Sequence, residues 1–578
     1  MFPYFRIALV LAAFVFLPTV HQKLANAQTN TGNSAAIDWR VARQSLEFQF
    51  GQDLAKIGVW CNKNGLARQK EITFELKVTR DLNRQYLFLP VAESMPDPSQ
   101  QTGLMKEWQE QINTAKVAHA GRIFKLARRA LDQDAAAVAF QLLYEVVYHD
   151  RDHAEARRIL GHKPKDDGWR LGTESFRDRQ SAKQHDFLAI GKGYLLVETP
   201  HFKIESTATK ERTEHLATQL ELWHTVWRQV FFDYWGSKKS FVKSFDGKQT
   251  MSLPKRKFKI FFFQNRQQYA NLLAPHVPGI GASSGYYSNK LETSFFSDGD
   301  SSAEATWRHE LTHQLFREAK GSSPANAFEK NFIWLDEGVA TYAESMVDLG
   351  NFVTLGGFEA PRTQHAREQA LLSQTPLRSA VLNAMSQLDW QSRRNPKLYS
   401  QSSGIVDMLM NSEHGRHQPD LISLLKYIYH RQAKPSSFNR ILKMSFDQVD
   451  QQFLQFMKID EDMVSKFLSK PETRTYLILT AAKLSKNDYR ELGKCVNLEI
   501  LDLSQHILKA DDLKPLANCP ALHQLILSSC KFEPNALLTL SKLPGLTKLN
   551  LVGSQIGPTQ ANEIAQLKQL KPGLVIKQ

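Results

Sequence analysis

The spacing of apolar residues changes character several times along the chain, and each change marks a different kind of element. A short unbroken apolar run at 7–17 comes first. From about residue 36 to 160, apolar positions recur three and four apart, the spacing of one helix face. The clearest such stretches are 104–131, 136–149 and 154–160, separated by Asp-rich turns that stop and restart helices. Residues 161–172 lose the periodicity and read as a linker. Alternation then takes over at 194–197 and 202–205, which predicts strands. A helix rich in Trp and Phe is predicted at 216–235, followed by an apolar strand at 258–263.

The last hundred residues carry a repeat. Leu498-x-x-Leu501-x-Leu503, Leu522-x-x-Leu525-x-Leu527 and Leu546-x-x-Leu549-x-Leu551 recur at a period of 24, after an imperfect copy ending in Leu477-x-Leu479. This is the leucine-rich repeat pattern, with one strand and one helical arm per unit. Cys530 falls at the Asn/Cys position after its strand, which predicts a core role. Cys495 and Cys519 hold one position in successive repeats, a strand spacing apart. A bridge there is geometrically open, and two packed thiols are the plainer reading. So few repeats form a short arc that needs a cap or a docking partner. Such an arc offers a surface to a protein partner, or serves packing alone. Further upstream, 139–156 resembles part of a tetratricopeptide helix pair, over about one repeat.

At 578 residues the chain is long enough for several domains. The expected class is multi-domain α+β. It comprises a leader at 1–27, a mostly helical region at 28–172, a mixed region at 190–460 and repeats at 465–578. Arg6 before the apolar run, and Ala25-Asn26-Ala27 before Gln28, read as a signal peptide with its cleavage site. The expected location is therefore outside the cytoplasm, periplasmic or extracellular. No other stretch has eighteen apolar residues, so no membrane span is expected once the leader is removed. Four cysteines in an exported chain of this length make no disulfide framework. The formal net charge of +14 favours anionic surfaces without specifying one. The densest basic run, 238–259, reads as a solvated loop; no nucleic-acid module accompanies it, and no nucleic-acid partner is expected.

One segment carries chemistry: His309-Glu310-Leu311-Thr312-His313, followed by Trp334-Leu335-Asp336-Glu337-Gly338-Val339-Ala340-Thr341-Tyr342. On a helix, His309 and His313 lie on one face and can turn both imidazoles toward one zinc ion. Glu310 sits beside that face, where a carboxylate can accept a proton from water. A second helix opening near Asp336 would bring in Glu337 as third ligand, leaving a fourth position to water, as a catalytic site requires. Asp336 reads equally as a partner orienting a histidine or as a charge at a helix start.

These segments resemble the gluzincin metallopeptidases, and Trp334–Tyr342 is similar to the Trp-Leu-Asn-Glu-Gly-Phe-Ala block of the aminopeptidase N type. The resemblance covers roughly 195–455 and is nearest to the peptidase MA-like group of exported bacterial proteins. It implies His309, His313 and Glu337 as zinc ligands and Glu310 as general base. Leu398-Tyr399-Ser400-Gln401-Ser402-Ser403-Gly404-Ile405-Val406 is similar to the family segment holding an oxyanion-donating tyrosine, which implies that role for Tyr399. The family layout also implies a small sheet with an edge along the cleft. Residues 292–297 are the expected edge strand, to which a peptide or protein substrate could add itself. The Gly-x-Met-Glu-Asn motif that holds a substrate amine in the aminopeptidases is missing. The corresponding region reads Gly281-Ala282-Ser283-Ser284-Gly285-Tyr286-Tyr287. The implied activity is an exported zinc endopeptidase. A zinc aminopeptidase and a catalytically silent scaffold, binding a partner through its helical and repeat regions, are the alternatives.

Overall fold

The computed structural model describes residues 37–578 except 79, 91–102, 166–167, 171–176, 252–255, 300, 320–327, 329, 359, 374–375 and 394; the expected leader lies outside the described residues. The chain is mixed α+β with several sheets.

Three long helices dominate the N-terminal part: α1 (Trp39–Lys63), α2 (Leu104–Asp132) and α3 (Ala136–His149). Asp38 caps α1, its carboxylate accepting from the backbone N–H groups of Arg40 and Val41 at 3.0 Å each. Ile112, Ala120, Ile123 and Ala127 bury the face of α2 that their spacing predicts. A short strand, β1 (Gln85–Phe88), lies between α1 and α2.

The central sheet contains β2 (Arg177–Gln180), β3 (Leu195–Glu198), β4 (Phe202–Ser206), β5 (Phe258–Phe263), β6 (Gly285–Ser288) and β7 (Thr293–Ser297). Its order is β2-β3-β4-β5-β7-β6, with β4, β5 and β7 parallel and the remaining pairings antiparallel. Alternation along β5 explains its central place. Ile260 and Phe262 enter the main core beside Trp223 and Trp307, whereas Phe261 and Phe263 enter a second core with Tyr269 and Phe295. A strand apolar on both faces must be covered on both.

The expected edge strand is corrected. Residues 293–297 pair on both sides, with β5 and with β6, and the free edge belongs to Gly285–Ser288. Ser294, Phe295, Phe296 and Ser297 are all buried, as an internal position demands. Two further expectations change. The stretch read as a linker forms an antiparallel hairpin, Lys163–Lys165 with Gly168–Arg170. The basic run opens with a helix at Lys238–Phe245, capped by Ser237, rather than a loop.

Helix α4 (Lys210–Val230) and helix α5 (Ser301–Glu318) pack together, and Trp223 Nε1 donates to Thr312 Oγ1 at 3.1 Å. Helix α6 (Ile333–Ala343) crosses the long helix α8 (Pro396–Gly415); α7 (Pro361–Glu368) packs on α8 as well. Gly338 permits the first crossing, because a Cβ there would stand 2.9 Å from the Ser402 carbonyl oxygen. Strand β8 (Phe352–Leu355) pairs antiparallel with β1, Leu87 facing Val353. The N-terminal helices are thus laced to the same core. Arg40 Nη2 donates to the Met410 carbonyl at 3.0 Å, and Gln85 Nε2 to the Tyr342 hydroxyl at 2.9 Å.

The C-terminal period becomes five parallel strands: β9 (Tyr476–Ile478), β10 (Ile500–Asp502), β11 (Gln524–Ile526), β12 (Lys548–Asn550) and β13 (Val575–Lys577). Leu477, Leu501, Leu525 and Leu549 stand in register and are buried. Polar side chains after β11 and β12 bind the preceding turn of the coil. Cys530 Sγ donates to the Leu503 carbonyl at 3.2 Å and Ser554 Oγ to the Leu527 carbonyl at 2.6 Å. Cys61, Cys495, Cys519 and Cys530 are free and buried, so the expected packed thiols are present and no bridge joins Cys495 to Cys519. This coil is joined to the helical core by Arg367 of α7. Its guanidinium is fully buried and donates to the carbonyls of Met457 (2.8 Å), Ile478 (2.5 Å) and Thr480 (2.6 Å).

Candidate metal centre

Helix α5 carries His309 and His313 one turn apart, and α6 packs across it carrying Glu337 in its first turns. One ligand-type atom from each of the three lies within 4.8 Å of the others. Glu337 Oε2 is 3.4 Å from His309 Nε2 and 3.7 Å from His313 Nε2. The two rings face Glu337 because their other nitrogens are held. His309 Nδ1 is held at 3.0 Å by Glu344 Oε1, and His313 Nδ1 at 3.2 Å by Asp336 Oδ1. Since a carboxylate only accepts, His309 Nδ1 carries a hydrogen, whereas His313 Nδ1 lies between an acceptor, Asp336 Oδ1, and a donor, Arg317 Nη1 at 3.0 Å. Both Nε2 atoms are thereby turned toward Glu337.

These holding carboxylates are themselves held. Asp336 is 3 % exposed, receives a hydrogen bond from the Tyr429 hydroxyl and pairs with Arg317. Glu344 Oε2 accepts from Arg362 Nε at 3.0 Å. The electrostatics follow. Burial would lower the His309 pKa, but the bonds to Glu337 and Glu344 outweigh it and hold the ring well above its ordinary value. His313, buried but facing Asp336 and Glu337, is pushed up to about 9. Burial would raise Glu337, and the two imidazoles instead bring it down to about 2. Carboxylates therefore press for positive charge at this spot, a demand that a divalent cation meets by displacing protons from the rings. The chemistry of the donor set fits a metal ion.

Glu310 lies beside the three ligands, and its Oε2 accepts from the Tyr287 backbone N–H at 3.0 Å. Tyr287 belongs to β6, so this bond joins the helix to the free edge of the sheet. Gly285 makes the approach possible. A Cβ there would stand 2.7 Å from Thr306 Cγ2 and 3.0 Å from Glu310 Cγ. Phe332, the residue before α6, takes φ +66°, an uncommon left-handed conformation for a bulky side chain next to a candidate site. Tyr399 stands in the first turn of α8, half-buried, with its ring edge-on to Trp390 at 5.1 Å. The structure thus brings His309, His313 and Glu337 together with Glu310 alongside, and sets Tyr399 against Trp390.

Sequence reasoning missed Glu344, Arg317 and Tyr429. Glu344 had a signal: it follows Glu337 by seven residues, two helical turns along the same face. Arg317 follows His313 by four, with its Nη1 3.0 Å from His313 Nδ1. Tyr429 comes from a distant helix, and no local spacing announces it.

Two further groups of metal-ligand residue types occur among the described residues: Glu47, His119, Glu145 and His149, and also His201, Glu221 and His224. In the first, both glutamates are already neutralised. Arg43 Nη2 lies 2.6 Å from Glu145, and Arg80 pairs with both Glu145 and Glu47.

No family model matches the chain, and no curated protein is significantly similar to it.

Proposed function

We propose that the protein is an exported zinc metallopeptidase of gluzincin type, with a C-terminal leucine-rich repeat arc. The observation that carries this reading is the convergence of His309, His313 and Glu337 with Glu310 hydrogen-bonded to a free strand edge. Those three residues would hold the zinc ion, which supplies Lewis acidity toward a peptide carbonyl and toward water.

The chain's own residues do the rest. Glu344 and Asp336 hold the two imidazoles with Nε2 turned toward Glu337. Glu310 takes a proton from the attacking water and delivers it to the leaving amine, base and then acid. The β6 edge offers backbone groups to an extended peptide, and the Tyr287 N–H fixes Glu310 against that edge. Tyr399 is assigned to the oxyanion on resemblance. In that role Tyr399→Phe lowers kcat with metal content unchanged, by about 10²-fold if the contact is worth as much as known oxyanion donors. Equal kcat in the two proteins removes Tyr399 from the reaction.

The test is a casein and peptide-library digest of the full chain, with and without chelator, beside a count of bound metal. Zinc-dependent cleavage that persists on N-acetylated peptides supports the endopeptidase. Cleavage confined to free amino termini replaces it with an aminopeptidase. One bound zinc with no cleavage of any peptide replaces it with a scaffold.

A further inference from the structure

We propose a binding site for a small organic acid, a carboxylate on an apolar body, in the cavity where the N-terminal helices meet the end of α8. The cavity measures about 700 Å³, within the range of small-molecule pockets. None of His309, Glu310, His313 and Glu337 lines it. Its walls come from α1, the stretch running into β1, α3 and the helix Gln418–Tyr429. Trp39, Leu82, Tyr86, Val138 and Ile422 supply the apolar part.

Arg40 stands in this wall as a cation bonded only to neutral acceptors. Among the described residues, Nη1 donates to the Leu82 carbonyl at 2.7 Å. Nη2 reaches the Met410 carbonyl at 3.0 Å, Asn411 Oδ1 at 3.3 Å and Gln418 Oε1 at 3.4 Å. None of these bonds uses Nε. Gly415, at φ +81°, admits the guanidinium: a Cβ there would stand 2.8 Å from Cζ and 3.0 Å from Nε. Burial pulls the Arg40 pKa down to about 10, so the charge is retained against its surroundings. Arg43, three residues on along the same face of α1, gives Nε and Nη2 to Glu145 and leaves Nη1 out of those bonds.

The carboxylates around the cavity are engaged elsewhere. Asp38 pairs with His414, Glu413 with Arg416 at 2.9 Å, and Asp134 with Lys238. Asp81 lies 4.0 Å from Lys466, and Asp233 is exposed beside Lys426. Deeper in, Arg43 and Arg80 are matched by Glu145 and Glu47. The charge left over at this wall is positive, and Arg40 carries it. A carboxylate meets that charge through bonds stronger than the neutral ones now made. A bare inorganic anion would fill a small part of the cavity and leave the apolar wall wet. A carboxylate with an apolar body covers both.

The experiment titrates the full chain by calorimetry with N-acetyl-phenylalanine, with its amide and with octanoate. At least one acid is expected to bind about 10–100-fold more tightly than the amide, the worth of a hydrogen bond to a charged group, and to raise Tm. Tighter octanoate identifies an aliphatic body, and tighter N-acetyl-phenylalanine identifies the carboxyl end of a peptide. Arg40→Gln is expected to erase the advantage of acid over amide. Ala137→Trp fills the cavity, leaves every bond of Arg40 in place and is expected to abolish binding. The comparison of acid with amide needs no variant to fold. No binding of either acid, an amide that binds as tightly, or wild-type affinity in either folded variant overturns the proposal. So does binding that disappears with chelator, since the acid is then on the metal. Hydrolysis is not read, so the peptidase reading stands or falls apart from this result.

Discussion

Of the clusters of glutamate and histidine among the described residues, two are built from the same residue types to opposite electrostatic ends. Around His309 and His313 stand four carboxylates, Glu310, Glu337, Glu344 and Asp336, with Arg317 and Arg362 as the paired cations. Around His119 and His149 stand Glu47 and Glu145, matched by Arg43 and Arg80. The first cluster is two positive charges short, and its histidines are driven toward protonation or metal. The second is balanced. Burial there holds His149 well below its ordinary pKa, and His119 stacks flat on Phe50 with centroids 4.4 Å apart. Proximity of ligand-type atoms does not define a metal site. The charge left over after every internal ion pair is made does.

The contrast can be broken most forcefully at Glu310. Exchange for glutamine leaves the ligands intact, so metal content holds while kcat falls by about 10²–10⁴-fold, the range for removal of a general base. Unchanged turnover removes Glu310 from the chemistry. At the balanced cluster the effect falls on folding instead. Glu145→Gln strands Arg43 in the interior, leaves Arg80 to Glu47 alone and costs about 3–5 kcal/mol by denaturant titration, the figure for breaking a buried pair. A loss under 1 kcal/mol would show that the arginines find water. Next comes Glu344→Gln, which loosens the hold on His309 and weakens zinc binding about 10–100-fold in competition with a chelator.

The smallest effect is one of pH. His149 stays neutral in the fold because it is buried beside His119, with Lys116 and Arg80 adding to the depression and Glu145 opposing it. The unfolded chain takes up that proton near pH 6.5. Stability is therefore full above that pH and declines as pH falls below it. His149→Phe flattens that decline and is nearly neutral at pH 8. An unaltered slope below pH 6.5 assigns the acid sensitivity to another group.

What was legible in the chain followed from local spacing. His309 and His313 announced themselves at one helical turn, and Leu501, Leu525 and Leu549 at a constant period, because each pattern repeats within one element. The placement of Glu337 relied on a resemblance in addition to spacing. The edge strand was misplaced because 285–288 and 293–297 look alike in apolar content. What distinguishes them is the room Gly285 leaves for Thr306 and Glu310 of another element. The pairing of Gln85–Phe88 with Phe352–Leu355 was invisible for the same reason, and so were the arginines that silence Glu145. Local sequence reports which side chains share a face. It does not report which distant charges will meet them.

Arg367 has a consequence for anything the repeat arc captures. One guanidinium spends its donors on carbonyls from both sides of the junction, so the coil is fastened to the helical body rather than hung from it. A protein gripped by the arc would be delivered at a set angle and reach, like work clamped in a jig. Lengthening the chain between residues 457 and 476 would not free it while that side chain stays in place.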